Sequence, residues 1–249
     1  MATFAIGDIH GNFAALSELL DQIAPDLSRE DVVVFLGDYI DRGPQSRECV
    51  DAILSFQQAT AASVVCLLGN HEQWMLRSLR NPRRHSWILG MSPWPTIASY
   101  APEAVDVLKD AVKQGGVMVY AGNAPLPYEV FFDRVPAAHL EFFKRLVTHY
   151  ENADGVFSHG GLDPLSAMDE QTQQSLVWGA NGFPEGYTGS KPLVYGHHNN
   201  AVLDADGWPH PRIVGATIGI DTSAHGVLTA IRMPDQAIIQ TSRYERRRD

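Results

Sequence analysis

Four short blocks of Asp, His and Asn recur along the chain, each directly after an apolar run: Gly7-Asp8-Ile9-His10-Gly11, Gly37-Asp38-Tyr39-Ile40-Asp41-Arg42-Gly43, Gly69-Asn70-His71-Glu72 and Ser158-His159-Gly160-Gly161. A chain that repeats a buried strand followed by ligand-type side chains must fold so that those strand ends meet. Two divalent cations about 3.5–4 Å apart need a shared carboxylate plus oxygen and imidazole donors arriving from several directions. One loop cannot supply that set, whereas the ends of several neighbouring strands can.

The lead-ins read as strands and helices in alternation. Thr3 to Ile6 is a short buried strand, followed by Asn12 as a helix N-cap and a helix to Ile23 whose Phe13, Leu16, Leu19, Leu20 and Ile23 form one apolar stripe. Val32 to Leu36 is a continuous apolar run, as expected of a strand covered on both faces. A helix from Ser46 to Gln57 and a strand from Val64 to Leu68 repeat the unit. Strands alternating with helices predict right-handed crossovers, a parallel sheet, and motif loops at the carboxyl ends of the strands, where open α/β sheets bind ligands.

Further on, positions 72 to 80 read as helix, and a Pro-punctuated stretch with helical pattern from Ala104 to Lys113 reads as a helical insert or cap at 79–135 in an otherwise single domain. A helix from Leu140 to Tyr150 is expected, then strands Gly155 to Phe157, delivering His159, and Lys191 to Tyr195, delivering His197. Ile213 to Ile220, Gly226 to Met233 and Ala237 to Ser242 are expected to close a second sheet in hairpin order, and Arg243 to Asp249 to form a solvated tail.

The formal net charge of −10 and the lack of a Lys/Arg stripe argue against nucleic acid as a partner. No apolar run approaches a membrane span, so no membrane partner is expected. Cys49 and Cys66 sit in apolar surroundings, as small buried residues of a reducing, cytoplasmic compartment would.

Residue by residue, Asp8 and His10 are two apart, so on a strand end they face the same side and can grip one cation. Asp38 offers two oxygens and is the best placed to bridge. Asn70 gives an amide oxygen, and His159 and His197 give imidazoles. That mixture suits manganese, iron or zinc better than calcium.

In these blocks, with Gly196-His197, the chain resembles the phosphoprotein phosphatase branch of the calcineurin-like metallophosphoesterases. The resemblance implies an α/β fold of two central β-sheets sandwiched between helices, with the metal site at the carboxyl ends of the strands. It implies that Asp8, His10 and Asp38 hold one metal and that Asp38, Asn70, His159 and His197 hold the other, manganese being preferred. It further implies a metal-bridging water or hydroxide as nucleophile, His71 as the acid for the leaving oxygen, Asp41 orienting His71, and Arg42 gripping phosphate.

Two departures stand out. His198 occupies a position where the family usually has Thr, and the stretch Val177-Trp178-Gly179-Ala180-Asn181-Gly182 lacks the second phosphate-binding Arg that many relatives carry. Either Asn181 binds phosphate, or Arg77, Arg80, Arg83 or Arg84 substitutes, or affinity is lower. The expected activity is a serine/threonine-type protein phosphatase acting on phosphorylated protein or a small phosphate ester. Asp41-Arg42 and Glu72 favour it over a symmetrical diadenosine tetraphosphate hydrolase, which stands as the alternative beside a broad small-molecule phosphatase. A phosphate-recognising metal scaffold without turnover is the non-enzyme alternative, and the intact ligand set argues against it.

Overall fold

The computed structural model describes residues 1–244, so positions 245–249 of the expected tail lie outside the described residues. The first part alternates as the apolar pattern requires: β1 (Thr3–Ile6), α1 (Phe13–Ile23), β2 (Val32–Phe35), α2 (Ser46–Ala59), β3 (Ser63–Cys66), α3 (Asn70–Arg80). Asn12 caps α1, its Oδ1 accepting from the Ala15 N–H at 3.0 Å. β1, β2 and β3 are parallel neighbours, with Thr3 opposite Val32 and Val32 opposite Ser63.

Period-two alternation then sorts the side chains. Phe4, Ile6, Val33 and Phe35 pack with Leu16, Leu19, Val50 and Ile53 of α1 and α2, while Ala5, Val32, Val34 and Leu36 pack on the opposite face. A strand buried on both sides must be apolar throughout, and β2 is.

The stretch expected as an insert is helical: α4 (Ser86–Gly90), α5 (Trp94–Tyr100), α6 (Pro102–Tyr120) and α7 (Glu129–Phe132), followed by α8 (Ala137–Lys144). Trp87, Ile97, Tyr100, Leu108 and Phe131 are buried in the same core that covers β1 and β2. These helices thus share the core of the parallel sheet.

The remaining elements are β4 (His149–Glu151), β5 (Val156–Ser158), α9 (Gln173–Trp178), β6 (Leu193–Tyr195), β7 (Val202–Leu203), β8 (Pro209–His210), β9 (Arg212–Val214), β10 (Thr217–Gly219), β11 (Thr229–Met233) and β12 (Ala237–Gln240). One sheet runs β12-β11-β1-β2-β3 and the other β4-β5-β6-β10-β9, with β7 and β8 as a separate pair. Phe157, Val194 and Ile218 of the second sheet pack against Ala5, Val34 and Ile231 of the first, so the two sheets face each other. Leu176 of α9 packs with Val156 and Leu193 on the far side of the second sheet. The layers are therefore the expected pair of central sheets between helices.

Three expectations are corrected. The helix expected to reach Tyr150 ends at Lys144, because the backbone of His149 to Glu151 pairs antiparallel with β5 instead. Ile213 to Ile220 is a hairpin, β9 to β10, turning at Gly215 with φ 59°. The last two strands join the first sheet, with β11 antiparallel to β1 and Thr3 opposite Met233. Their apolar patterning fixes which face is buried but carries no information about which sheet edge they meet.

Candidate metal centre

All five strands that lead into a proposed ligand end on the same side. Asp8 follows β1, Asp38 follows β2, Asn70 follows β3, His159 follows β5 and His197 follows β6, and within each sheet these strands are parallel. The side chains converge on Asp38. Asp38 Oδ2 lies 3.5 Å from His10 Nε2, and Asp38 Oδ1 lies 3.3 Å from His159 Nε2. His10 Nε2 is in turn 3.9 Å from Asp8 Oδ2. Asn70 Oδ1 is 3.0 Å from His159 Nε2 and 3.1 Å from His197 Nδ1.

Two triads of metal-capable side chains result, His10-Asp38-His71 and Asp38-His159-His197, each with donor atoms within 4.8 Å of one another, and both contain Asp38. Asp8, His10, Asp38, Asn70, His71 and His159 are all buried, and His197 is half-buried.

The donor chemistry fits cations. His10 Nδ1 donates to the Ile40 carbonyl at 3.0 Å, and His159 Nδ1 donates to the Leu36 carbonyl at 2.9 Å. Each Nε2 therefore carries a lone pair aimed inward, the way outer hydrogen bonds orient metal-binding imidazoles. Among the described residues, His10 Nε2 is one of the few buried polar side-chain atoms without a hydrogen-bond partner. Asn70 presents its oxygen to both Asp38 oxygens and to His159 and His197, although turning the amide would put its NH₂ there as a donor. Lone pairs facing lone pairs at such distances repel unless a cation lies between them. In an octahedral shell at about 2.1 Å, adjacent ligand atoms are about 3.0 Å apart.

Charge balance agrees. Burial alone would raise the Asp38 carboxyl, but His159, His71, His10 and His197 outweigh it and hold the group below the usual carboxylate range. Burial, then Asp221 and Asp38, push Asp8 well up. Burial pushes His10 well down and His197 down to about 3, so both imidazoles are neutral near pH 7. The positive groups beside this buried carboxyl pair are Arg42, which acts on Asp8 and His10, and His71, whose charged form Asp38 favours.

The backbone is bent to make this possible. His10, Asp38, Asp41, Arg42 and His197 have φ between 47° and 70°, a left-handed conformation that side chains rarely adopt and that costs of order 1–3 kcal/mol each. Glu72 holds the Asp38 turn, its carboxylate accepting from the N–H groups of Asp38, Tyr39 and Ile40 at 3.0, 2.9 and 3.2 Å. Burial and then Asp38 push Glu72 up to about 8, against that backbone donation. A Cβ on Gly69 would overlap the Asp38 carboxylate, so the turn from β3 into α3 needs glycine there.

Beside the donors sits a second group. His71 Nδ1 donates to Asp41 Oδ2 at 2.7 Å, and His71 Nε2 lies 3.7 Å from Asp38 Oδ2. Burial opposes the His71 charge, but Asp38 and Asp41 outweigh it and raise the imidazole above its ordinary value. Arg42 is exposed, its Nη2 3.5 Å from His71 Nε2.

Not every candidate converges. Asn181 is exposed on the turn after α9, and among the described residues no hydrogen bond joins it to the cluster. Arg77, Arg80, Arg83 and Arg84 are exposed, the last two lining a groove against Trp74 and Tyr120. His198 is exposed with its ring centroid 4.2 Å from that of His197.

Three participants escaped the sequence reading. Asp221, buried near Asp8, follows Ile220 as Asp8 follows the apolar end of β1, and that shared pattern could have found it. Trp87 and Thr96, which donate to Asp41, carry no local signal.

A family model for calcineurin-like phosphoesterases matches residues 1–203. A zinc-dependent endopolyphosphatase of Saccharomyces cerevisiae is 31% identical over 111 residues, 43% of this chain and 33% of that protein. A symmetrical bis(5'-nucleosyl)-tetraphosphatase of Pseudomonas fluorescens is 42% identical over 84 residues, 34% of this chain and 27% of that protein. The chain thus spans about a third or less of the length of the curated relatives it matches. Among solved structures, a candidate diadenosine tetraphosphatase superposes with a TM-score of 0.60 at 18% identity, covering 96% of this chain and 92% of the other. A serine/threonine phosphatase of Saccharomyces cerevisiae superposes at 0.50 and 14% identity, covering 97% and 79%. At such identities the likeness is one of fold.

Proposed function

The chain belongs to the calcineurin-like phosphoesterase family, and from that premise we propose that it is a dinuclear-metal hydrolase that cleaves phosphoric esters or anhydrides. The observation that carries this reading is the single carboxylate of Asp38, shared between two triads of metal-capable side chains. Asp8, His10 and Asp38 would hold one cation, and Asp38, Asn70, His159 and His197 the other. The oxygen-and-imidazole mixture suits manganese, with iron or zinc as neighbours in preference.

When bound, the cations supply Lewis acidity toward phosphoryl oxygens and lower the pKa of water so that a nucleophile exists near neutral pH. The protein supplies the rest. Arg42 presents a planar fork of donors to the equatorial phosphate oxygens. His71, whose charged form Asp38 and Asp41 favour, gives its Nε2 proton to the leaving oxygen, and Asp41 keeps the ring turned that way. The left-handed turns at Asp38 and Asp41 fix these groups before substrate arrives.

For the substrate, the relatives named symmetrical bis(5'-nucleosyl)-tetraphosphatases support a dinucleoside tetraphosphate cut into equal halves, ahead of the phosphoprotein expected from the sequence. The phosphoprotein reading keeps one specific support. Glu72 and the Asp41-Arg42 pair match the phosphoprotein branch, and here Glu72 bonds three successive backbone N–H groups. Among the described residues no helix is long and apolar enough to cross a membrane, and the two free cysteines suit a cytoplasmic setting.

The test is product analysis on metal-stripped chain reloaded with manganese or zinc. Dinucleoside tetraphosphate should give only nucleoside diphosphate, and faster than a phosphoserine peptide gives phosphate. The reverse ranking would restore the phosphoprotein reading. Phosphopeptide binding without turnover of any substrate would indicate a scaffold.

A further inference from the structure

The helices between α3 and α6 reach the reaction centre chiefly at the Asp41 carboxylate, with Met91 Sδ also accepting from Asn70 Nδ2 at 3.8 Å. Trp87, fully buried in α4, donates its indole Nε1–H to Asp41 Oδ2 at 2.9 Å. Thr96, fully buried in α5, donates its hydroxyl to Asp41 Oδ1 at 2.8 Å and accepts from the Asp41 N–H at 2.7 Å. The Ser46 hydroxyl, at the start of α2, lies 2.8 Å from that of Thr96. With His71 on Oδ2, both oxygens of a fully buried carboxylate are held by donors.

The backbone is held at the same place. Asp41 and Arg42 have φ of 70° and 65°, and the Arg42 N–H donates to the Ser92 carbonyl, between α4 and α5, at 3.3 Å. A conformation of that cost persists only where the surroundings over-determine it.

Packing alone would not require these atoms. An apolar ring of similar shape could fill the space of Trp87, and Val matches the volume of Thr96. What the indole N–H and the hydroxyl add is direction: they fix the plane of the carboxylate, and the carboxylate fixes the imidazole. A buried carboxylate with fewer donors is free to rotate.

We infer that Trp87 and Thr96 are positioning residues that act through Asp41 on His71, so that the helical segment from 86 to 100 sets the geometry of leaving-group protonation. The inference rests on the hydrolase reading above. It assigns to this segment a place in the reaction, where the sequence suggested a cap.

Turnover of an alkyl phosphate and of 4-nitrophenyl phosphate by the manganese-loaded full chain tests it, using Trp87→Phe, Thr96→Val, Thr96→Ser and His71→Asn. Trp87→Phe and Thr96→Val should each lower kcat on the alkyl ester by about 10-fold or more, with KM little changed and a smaller loss on the nitrophenyl ester, whose leaving group needs less protonation. Thr96→Ser should recover most of what Thr96→Val loses. In the His71→Asn background Trp87→Phe should have no further effect, because the group it orients is already gone.

Equal losses on both esters, a Thr96→Ser enzyme as slow as Thr96→Val, or losses that multiply with His71→Asn would overturn the positioning role. A wild-type chain that releases phosphate from neither ester would instead overturn the hydrolase reading itself.

Discussion

His71 Nδ1 and Asp41 Oδ2 are 2.7 Å apart, both buried, so the Asp41 carboxylate accepts a hydrogen bond from Nδ1–H and leaves His71 Nε2 as the nitrogen facing the cluster. On the proposed function, that geometry gives the imidazole's proton a fixed direction. His71→Asn should lower kcat on an alkyl phosphate by about 10²–10⁴ and on a nitrophenyl ester by distinctly less. Steady-state kinetics on both substrates checks it. An equal loss would mean that His71 does not protonate the leaving group.

Arg42 is an exposed cation beside His71, and its fork is the proposed grip on phosphate. Arg42→Ala should reduce kcat/KM by about 10–100-fold, the worth of a charge-assisted hydrogen bond of about 1.5–3 kcal/mol. Arg42→Lys should recover only part, since a point charge cannot reproduce a planar fork. Inhibition by inorganic phosphate should weaken in parallel with both substitutions, and unchanged inhibition would remove Arg42 from phosphate binding.

Gly69 closes against Asp38, and an added Cβ would overlap the carboxylate and the Asp38 N–H. Gly69→Ala should therefore cost about 1–3 kcal/mol of stability and weaken metal uptake, although it alters no donor. Denaturant melts and metal titration on the same preparation read the two effects together. Wild-type metal affinity would show that the turn is free to move.

Away from the centre, Asp31 ties the start of β1 to the loop before β2. It accepts from Ala2 N–H at 2.6 Å, Ser28 N–H at 2.8 Å and the Ser28 hydroxyl at 2.7 Å. Burial would raise its carboxyl, but these donors outweigh that and hold it below the ordinary value. A depressed carboxylate contributes stability that is present above its unfolded pKa of about 3.9 and lost as pH falls through the lower folded value. Asp31→Asn should lower Tm by about 2–4 °C at pH 7, with the gap narrowing below about pH 4. A gap of constant size down to pH 3 would contradict the ionised role.

The sequence was most informative where one residue type has one use. Asp8, Asp38, Asn70, His159 and His197 were legible because each follows an apolar strand, and strand ends are where α/β sheets collect ligands. The β1-α1-β2-α2-β3 order was legible because apolar periodicity and the Asn12 cap agree. The destination of β11 and β12 was not, since an edge of either sheet satisfies the same alternation. Nor were Trp87 and Thr96: a Trp or a Thr in a helical stretch looks like packing until Asp41, more than forty residues away in the chain, is seen beside it. Asn181, named from its place in the Val177 to Gly182 stretch, is exposed, and among the described residues no hydrogen bond joins it to the cluster.

On the proposed function, Asp38 serves two cations at once. Anomalous diffraction from manganese-loaded crystals tests it most directly, with Asp38→Asn as the companion. Two anomalous peaks about 3.5–4 Å apart are expected, one on each side of the Asp38 carboxylate, with loss of at least one in the variant. A single peak, or two peaks with neither against Asp38, would contradict it.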